Sequence, residues 1–474
     1  FSYKSDDELI SFEDYGLVRG VGSQTISINP VKFDAAQNRI KLYSKIIFKI
    51  NFSSNSVLSN KPADDLIDGA IVNYDVAKYW NHDLENKKLN KVVIANSVLA
   101  TGRWFRFEAT EEGIYRINKS DLAAYGIDAN SVDPRTIKIY NNGGKVLPEI
   151  NTAVRPIDLE ENSILVVGEE DGKFDDADYI LFYGRGTNFW DYDSDGKTIK
   201  RFFHPYSTKN YYWITSGNSN GKRMLEKVGL NTTPTIVQTT SVAYASLEED
   251  KINLGKTGRN FVGDNFLSSV TSRTYTNTLN GLVSASPINY SIGFVVGTPT
   301  SLTLHISENG NQILQRNLNG HDTDYKVGIY HSLTAVFNQT LTDNRSILNF
   351  SVTPSTISTT GYLDYFTIQY QKDLKAFSDY LMFFSDPAGG LIEYNLINFS
   401  NSNIKVLDVT DYSNVKIVNN YTDLSGGDCK FQFDEGTTQR SKYISIGSGG
   451  YKIPTSPIEI TNSNIRGEEQ GAKF

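Results

Sequence analysis

Five stretches decide the fold: PINYSIGFVVG (287–297), TSLTLHISENG (300–310), YHSLTAVFN (330–338), RSILNFSVTP (345–354) and YLDYFTIQY (362–370). In each, apolar or β-branched residues recur at every second place, the spacing that sends alternate side chains to one face of a strand. Asn309-Gly310 and Thr360-Gly361 mark turns between them, because glycine tolerates the positive φ that tight turns need. Strands of this length at regular spacing predict a β-sandwich of the jelly-roll or immunoglobulin type over residues 234–373. Downstream, YLMFF (380–384), IEYNLIN (392–398), NIKVLDVT (403–410), VKIVNN (415–420) and KYISIG (442–447) continue the pattern. Residues 374–474 are therefore expected to complete or cover the same sandwich.

Working outward toward the N-terminus, residues 100–233 form a second β-rich module. WFRFEATEEGIYRI (104–117) contains two apolar runs around Thr110-Glu111-Glu112-Gly113 and predicts a hairpin. A short helix follows in DLAAYGI (121–127), with Ser120 as its cap and Gly126 ending it. TIKIYNNGG (136–144), SILVVGEEDG (163–172) and YILFYGRG (179–186) are short buried strands punctuated by glycine. Residues 1–60 hold QTISINPVKFD (24–34) and NRIKLYSKIIFKINFSS (38–54), which predict two paired strands. Residues 61–99, richer in charge and free of alternation, are a linker with a short helix. The fold class is mainly β and multidomain: small β-rich N-terminal modules followed by a β-sandwich.

Composition agrees and excludes several functions. The 474 residues carry 28 Tyr and 25 Phe against 2 Met, a bias toward sheet. The net charge of −8 comes with dispersed Lys and Arg, which excludes the dense basic stripe of a nucleic-acid surface. No apolar run approaches the roughly 18 residues of a transmembrane helix. A single cysteine, Cys429, permits no intrachain disulfide and no thiolate-rich zinc site. The start at Phe1, without Met or a signal-peptide pattern, reads as a processed or truncated end.

Chemistry is sparse. A cysteine peptidase needs a thiolate beside a histidine, but Cys429 in SGGDCKFQF has no neighbouring His and reads as inert. His82, His204, His305, His321 and His331 show no ligand spacing. The densest polar signal is GEEDGKFDDADY, where Asp171, Asp175, Asp176 and Asp178 join Glu169 and Glu170 in one glycine-containing loop. DYDSDG then places Asp191, Asp193 and Asp195 at alternating positions before Gly196, without the later bidentate glutamate of a calcium loop. Either loop is a Ca²⁺ site or a solvated acidic turn. Tyr211 with Trp213, and Tyr362 with Phe366, are either a sugar-stacking platform or core.

The order of motifs carries a resemblance. WFRFEATEEGIYRI, IYNNGGKVLPE, ILVVGEEDGKFDDADYILFYGRG, YSTKNYYWIT, GYLDYFTIQYQKDL, KVLDVTDYSNV and KYISI…NSNIRG follow one another across roughly residues 100–470. They resemble the region preceding the peptidase domain in the sortases of type IX secretion, members of the gingipain-type cysteine peptidases. GLVRGVGSQTISINPVKFDAAQNRIKLYSKIIFKI (16–50) is similar to the family's prosegment, through Arg19-Gly20 and Pro30. The resemblance implies an exported protein, associated with the outer membrane at the cell surface, whose Cys/His dyad lies in a C-terminal peptidase domain beyond Phe474. It implies removal of a C-terminal sorting domain from secreted cargo and attachment of the new end to anionic lipopolysaccharide. Implied partners are the protein's own peptidase domain, outer-membrane secretion proteins and cargo sorting domains, and the implied role of this segment is non-catalytic: scaffolding, covering or docking. The competing expectation from composition alone is a β-sandwich adhesion or binding protein recognising glycan or protein.

Overall fold

The computed structural model describes residues 9–18, 21–34, 37, 39–51, 65–79, 96–256, 258, 260–284, 286–322, 326–341, 343–424 and 426–467. Arg19-Gly20, His82 and most of the stretch read as a linker lie outside them. The chain divides into two compact units, Phe1–Ile94 and Ala95–Phe474.

The first unit contains two separate two-stranded ribbons. Ile10–Val18 pairs antiparallel with Val21–Ile28, and Val31–Asp34 with Arg39–Leu42. A lone ribbon has no second layer to bury its apolar face. Phe12, Phe33, Ile40 and Leu42 accordingly stand exposed, Ile40 at 72%. Among the described residues 61–99, a 3-10 turn at Asp65–Ala70 and a helical turn at Tyr74–Ala77 share the buried Ile67 and Tyr74.

The second unit is built by nesting. Its head module has one five-stranded sheet ordered Thr455–Ile460, Trp104–Ala109, Asn210–Ser216, Ile137–Tyr140, Glu161–Asn162, and one three-stranded sheet ordered Gly113–Asn118, Tyr179–Gly184, Leu165–Val167. Phe107, Phe174, Phe182 and Tyr212 fill the space between them; each aromatic side chain withdrawn from water contributes roughly 1.5–3 kcal/mol. The expected hairpin at 104–117 does not form. Trp104–Ala109 and Gly113–Asn118 join different sheets, because both runs bury four of their six residues and expose none, and the chain turns a corner at Thr110–Glu112. The helix forms at Lys119–Ala124 but is capped by Asn118 in a capping box with Asp121, not by Ser120. Gly126 follows it at φ 85°.

The chain then lays down Leu225–Val228 and Ile236–Gln238, leaves to build a complete two-sheet body from Thr240 to Asp373, and returns. The inserted body stacks a sheet ordered Thr240–Glu248, Gly361–Asp373, Ile288–Val296, Ile329–Phe337 on one ordered Ser272–Thr278, Arg345–Pro354, Leu302–Glu308, Asn311–Leu318. Phe266, Phe294, Phe350 and Phe366 lie in its core. The residues after 373 do not complete this body. They form two further sheets around their own core of Phe383, Tyr394, Phe431 and Tyr443, and there Lys416–Asn419 pairs parallel with Leu225–Val228 and Gly390–Leu396 pairs parallel with Ile236–Gln238. This carrier body therefore begins before the insertion and ends after it. A seam of Ile114, Leu181 and Tyr183 against Leu407, Ile444 and Ile446 joins carrier to head.

Candidate functional site

The acidic segment is consumed by local structure. Glu169–Asp171 make a 3-10 turn between Gly168 and Gly172, both left-handed. The Glu169 carboxylate accepts from Arg223 Nε at 2.9 Å and Nη2 at 2.7 Å, while the same guanidinium donates to the carbonyls of Pro134, Arg135 and Ile137. Asp171 Oδ1 accepts from Lys173 N–H, Asp176 pairs with Lys119 at 3.3 Å, and the buried Asp178 accepts from Asp175 N–H at 2.6 Å. A β-carbon on Gly168 would fall 1.8 Å from Asp178 Oδ1, so glycine is what lets that carboxylate turn inward. In the next loop Asp191 pairs with Arg185 at 3.2 Å and Lys145 at 3.6 Å, Asp193 pairs with Lys200 at 2.7 Å, and Asp195 is exposed. Hydrogen bonding from the Lys200 ammonium holds Asp193 below the usual carboxylate range. Among the described residues no group of three or more His, Cys, Asp or Glu side chains stands close enough to hold a metal ion.

Cys429 is fully buried in the carrier core, and burial, with Asp423 and Asp428 nearby, pushes its thiol up to about 12. A thiol so held is not a nucleophile at neutral pH. His204 Nδ1 accepts from Tyr206 N–H at 3.2 Å, a His331 ring nitrogen bonds the Asn319 carbonyl at 2.9 Å, and His305 is half-buried on Leu302–Glu308. Of the aromatic pairs, Phe366 is core and Tyr362 half-buried, whereas Tyr211 and Trp213 are half-buried with ring centroids 6.5 Å apart.

What the sequence did not show is a polar node formed by four of the quoted motifs. Asn141 Nδ2 donates to Asn210 Oδ1 at 2.9 Å and to the Tyr211 carbonyl at 2.6 Å; Asn210 Nδ2 donates to the Arg185 carbonyl at 2.8 Å; Arg185 N–H donates to the Tyr212 hydroxyl at 2.9 Å. The Arg185 guanidinium, 3% exposed, lies 4.3 Å from the Phe189 ring and 4.7 Å from that of Tyr412, with its Nε and Nη2 lacking protein partners. Tyr412 in turn donates to Glu160 at 2.7 Å, tying the carrier turn to the head. The packing admits no extra atom: a β-carbon on Gly143 would lie 2.4 Å from Arg185 Nη2, and one on Gly186 2.2 Å from the Thr110 carbonyl oxygen. The only signal of this node in the sequence is glycine beside asparagine and arginine in NNGGK and YGRG.

Beside the node opens a cleft of about 290 Å³ walled by Asn142, Lys145, His204, Lys209, Tyr211 and Trp213. Lys145 stands 3.9 Å over the Phe202 ring, and burial draws its ammonium down from the ordinary lysine range. Both of its ammonium groups are already paired, Lys145 with Asp191 at 3.6 Å and Lys209 with Glu108 at 2.9 Å, so the two aromatic faces are what give the cleft the chemistry to receive a hydroxylated group.

No known family model matches the chain. Over 147 residues, 29% of the chain, it is 26% identical to Lys-gingipain of Porphyromonas gingivalis, a stretch that makes up 8% of that protein. Among solved structures, dimeric latent PorU from Porphyromonas gingivalis superposes with a TM-score of 0.68 over 80% of this chain and 35% of its own, at 19% identity. The chain thus shares the fold of about a third of PorU, and the resemblance read from motif order has a structural counterpart. It spans only a small part of either relative.

Proposed function

We propose that the chain is the non-catalytic N-terminal region of a type IX secretion sortase-like cysteine peptidase, a surface protein that removes the C-terminal sorting domain of secreted cargo. The observation that carries this reading is the fold shared with PorU over 80% of the chain. Its non-catalytic character is supported by the thiol: Cys429 is sealed in a core that contains no histidine among the described residues. The roles left to the segment are positioning and covering. The nested construction supports positioning, since the strand Thr455–Ile460 returns to the sheet that Trp104–Ala109 begins and so fixes the exit of the chain on the head module. The exposed apolar ribbons of the first unit support covering, because side chains such as Phe33, Ile40 and Leu42 are stabilised only against a partner surface. The two-sheet bodies read as β-sandwiches, and the peptidase domain, secretion proteins of the outer membrane and cargo sorting domains are the partners they would meet.

The reading frame beyond Phe474 gives the first test: a His- and Cys-bearing α/β domain is expected, and its absence refutes the assignment. In the full-length protein, thiol-dependent cleavage of a sorting-domain substrate should persist in Cys429→Ala; loss of cleavage with the fold intact would place the nucleophile in this segment instead. A second reading, glycan binding, rests on Tyr211 and Trp213 at the mouth of the node cleft. Glycan-array binding abolished by Trp213→Ala would favour it over a purely structural role.

A further inference from the structure

Inserted body, carrier and head meet around a cavity of about 230 Å³. Its walls are Trp190, Tyr244, Phe377, Tyr380 and Met382, and Lys372 lies among them. Trp190, from the strand Asn188–Asp193, stacks on Tyr244, from Thr240–Glu248, with centroids 4.1 Å apart and planes 13° from parallel. Lys372 comes from the long strand Gly361–Asp373, and its ammonium donates to the Met382 carbonyl. An ammonium carries three N–H donors, so that carbonyl leaves two to spare. Among the described residues no carboxylate pairs with Lys372. Lys375 adds a second ammonium, 5.9 Å over the Phe377 ring.

We propose that this cavity binds a small monocarboxylate with an apolar body, aryl or short alkyl, its carboxylate accepting from Lys372 and its body lying against the Trp190–Tyr244 wall. Lys372 is half-buried; a cation partly withdrawn from water without a counter-charge is costly, and a charge-assisted hydrogen bond is the strongest available remedy. Burial alone draws Lys372 down to about 8, the response of an ammonium that lacks its anion. The aromatic walls exclude a phosphate dianion, which needs several donors to replace its water. The volume, below the roughly 300–1,000 Å³ of drug-sized sites, selects a single ring or a short chain. The bland alternative is a lysine whose stem fills a packing gap while its head reaches for water.

The test titrates the full-length protein with benzoate and hexanoate, with benzamide as the neutral isostere and with inorganic phosphate, reading ligand-observed NMR and the thermal midpoint. Saturable binding of a carboxylate, at least tenfold tighter than benzamide and phosphate and at least tenfold weaker in Lys372→Met, is expected, with a rise in midpoint by mass action. Equal response to benzoate and benzamide, no saturable response to either carboxylate, or undiminished binding in Lys372→Met overturns the proposal. Should Lys372→Met fail to fold, the comparison of benzoate with benzamide on the unaltered protein decides it alone.

Discussion

The acidic segment Glu169–Asp178 and the Arg185 node sit a few residues apart in the chain and are organised in opposite ways. The first is dense in sequence and dispersed in space: its carboxylates separate to Arg223, to Lys119, to backbone N–H groups and to solvent. The second is dispersed in sequence and convergent in space, drawing Asn141, Arg185, Asn210 and Tyr412 together from four motifs. Clustering along a chain raises mutual repulsion, which nearby cations and separation relieve. Convergence of uncharged amides and one guanidinium carries no such penalty and needs only close backbone approach, which the glycines supply. Polar density in sequence is thus a poor guide to where a fold concentrates its constraint.

The sharpest way to break that contrast is to add one methyl group at the node. Gly186→Ala sets a β-carbon against the Thr110 carbonyl, a backbone atom that cannot step aside, and a loss of about 3 kcal/mol or more is expected in denaturant melts. A loss below about 1 kcal/mol would show that the corner at Thr110 yields and that the node is looser than its geometry. Asn210→Ala removes the acceptor of the Asn141 amide and the donor to the Arg185 carbonyl, leaving two buried groups each short of a bond; about 2 kcal/mol is expected. If Asn141→Ala combined with Asn210→Ala simply adds the single losses, the node is a collection of bonds and not a unit.

Lys372 sharpens the contrast from another side, as a half-buried charge with no carboxylate partner among the described residues. With its folded value about 8 and its unfolded value near 10.5, the unfolded chain holds more protons across that window. The burden on the folded state is therefore full below pH 8 and is lifted as pH rises. Lys372→Met should be more stable than the parent by about 1–2 kcal/mol at pH 7, after allowance for the partial access of the ammonium to water, and the gap should narrow between pH 8 and 9.5. A gap independent of pH would assign the gain to packing.

Much of the strand content was legible because alternation is local: the runs at 287–297, 300–310, 345–354 and 362–370 are all strands. Gly126 was legible for the same reason. Which strands pair was not. Trp104–Ala109 finds Thr455–Ile460, and Ile236–Gln238 finds Gly390–Leu396 across the whole inserted body. Such partners are chosen by complementary burial over long loops, whose closure entropy grows only slowly with length. The cap at Asn118 was missed because the capping box with Asp121 outcompetes a serine two residues further on. The node was missed because amides and glycines are ordinary in turns, and nothing in NNGGK distinguishes a turn that receives an arginine from one that does not.

The smallest effect expected belongs to the acidic segment itself. Asp171, Asp175 and Asp176 are exposed, and exposed charges contribute little to stability. The triple change to asparagine keeps side-chain volume and leaves the side chain at position 171 able to accept from the Lys173 N–H, so its melting midpoint should correspond to a change within about 0.5 kcal/mol. A bound Ca²⁺ would make the outcome different: millimolar Ca²⁺ would then raise the midpoint of the parent and not of the triple variant, by mass action on the folded state. Because Glu169 already faces Arg223, Asp176 is drawn to Lys119 and Asp178 is turned inward beneath Gly168, no three carboxylates among the described residues stand close enough together to replace the water of a hard cation. Equal midpoints in Ca²⁺ and in chelator are therefore expected for both proteins. A calcium-dependent rise that vanishes in the triple variant would show that the carboxylates regroup around an ion, and the contrast between dispersed and convergent polar residues would then hold only without metal. A rise that survives it would direct attention to Asp191, Asp193 and Asp195, where recruiting Asp191 to an ion would release Arg185 and loosen the node that its carboxylate now helps to hold.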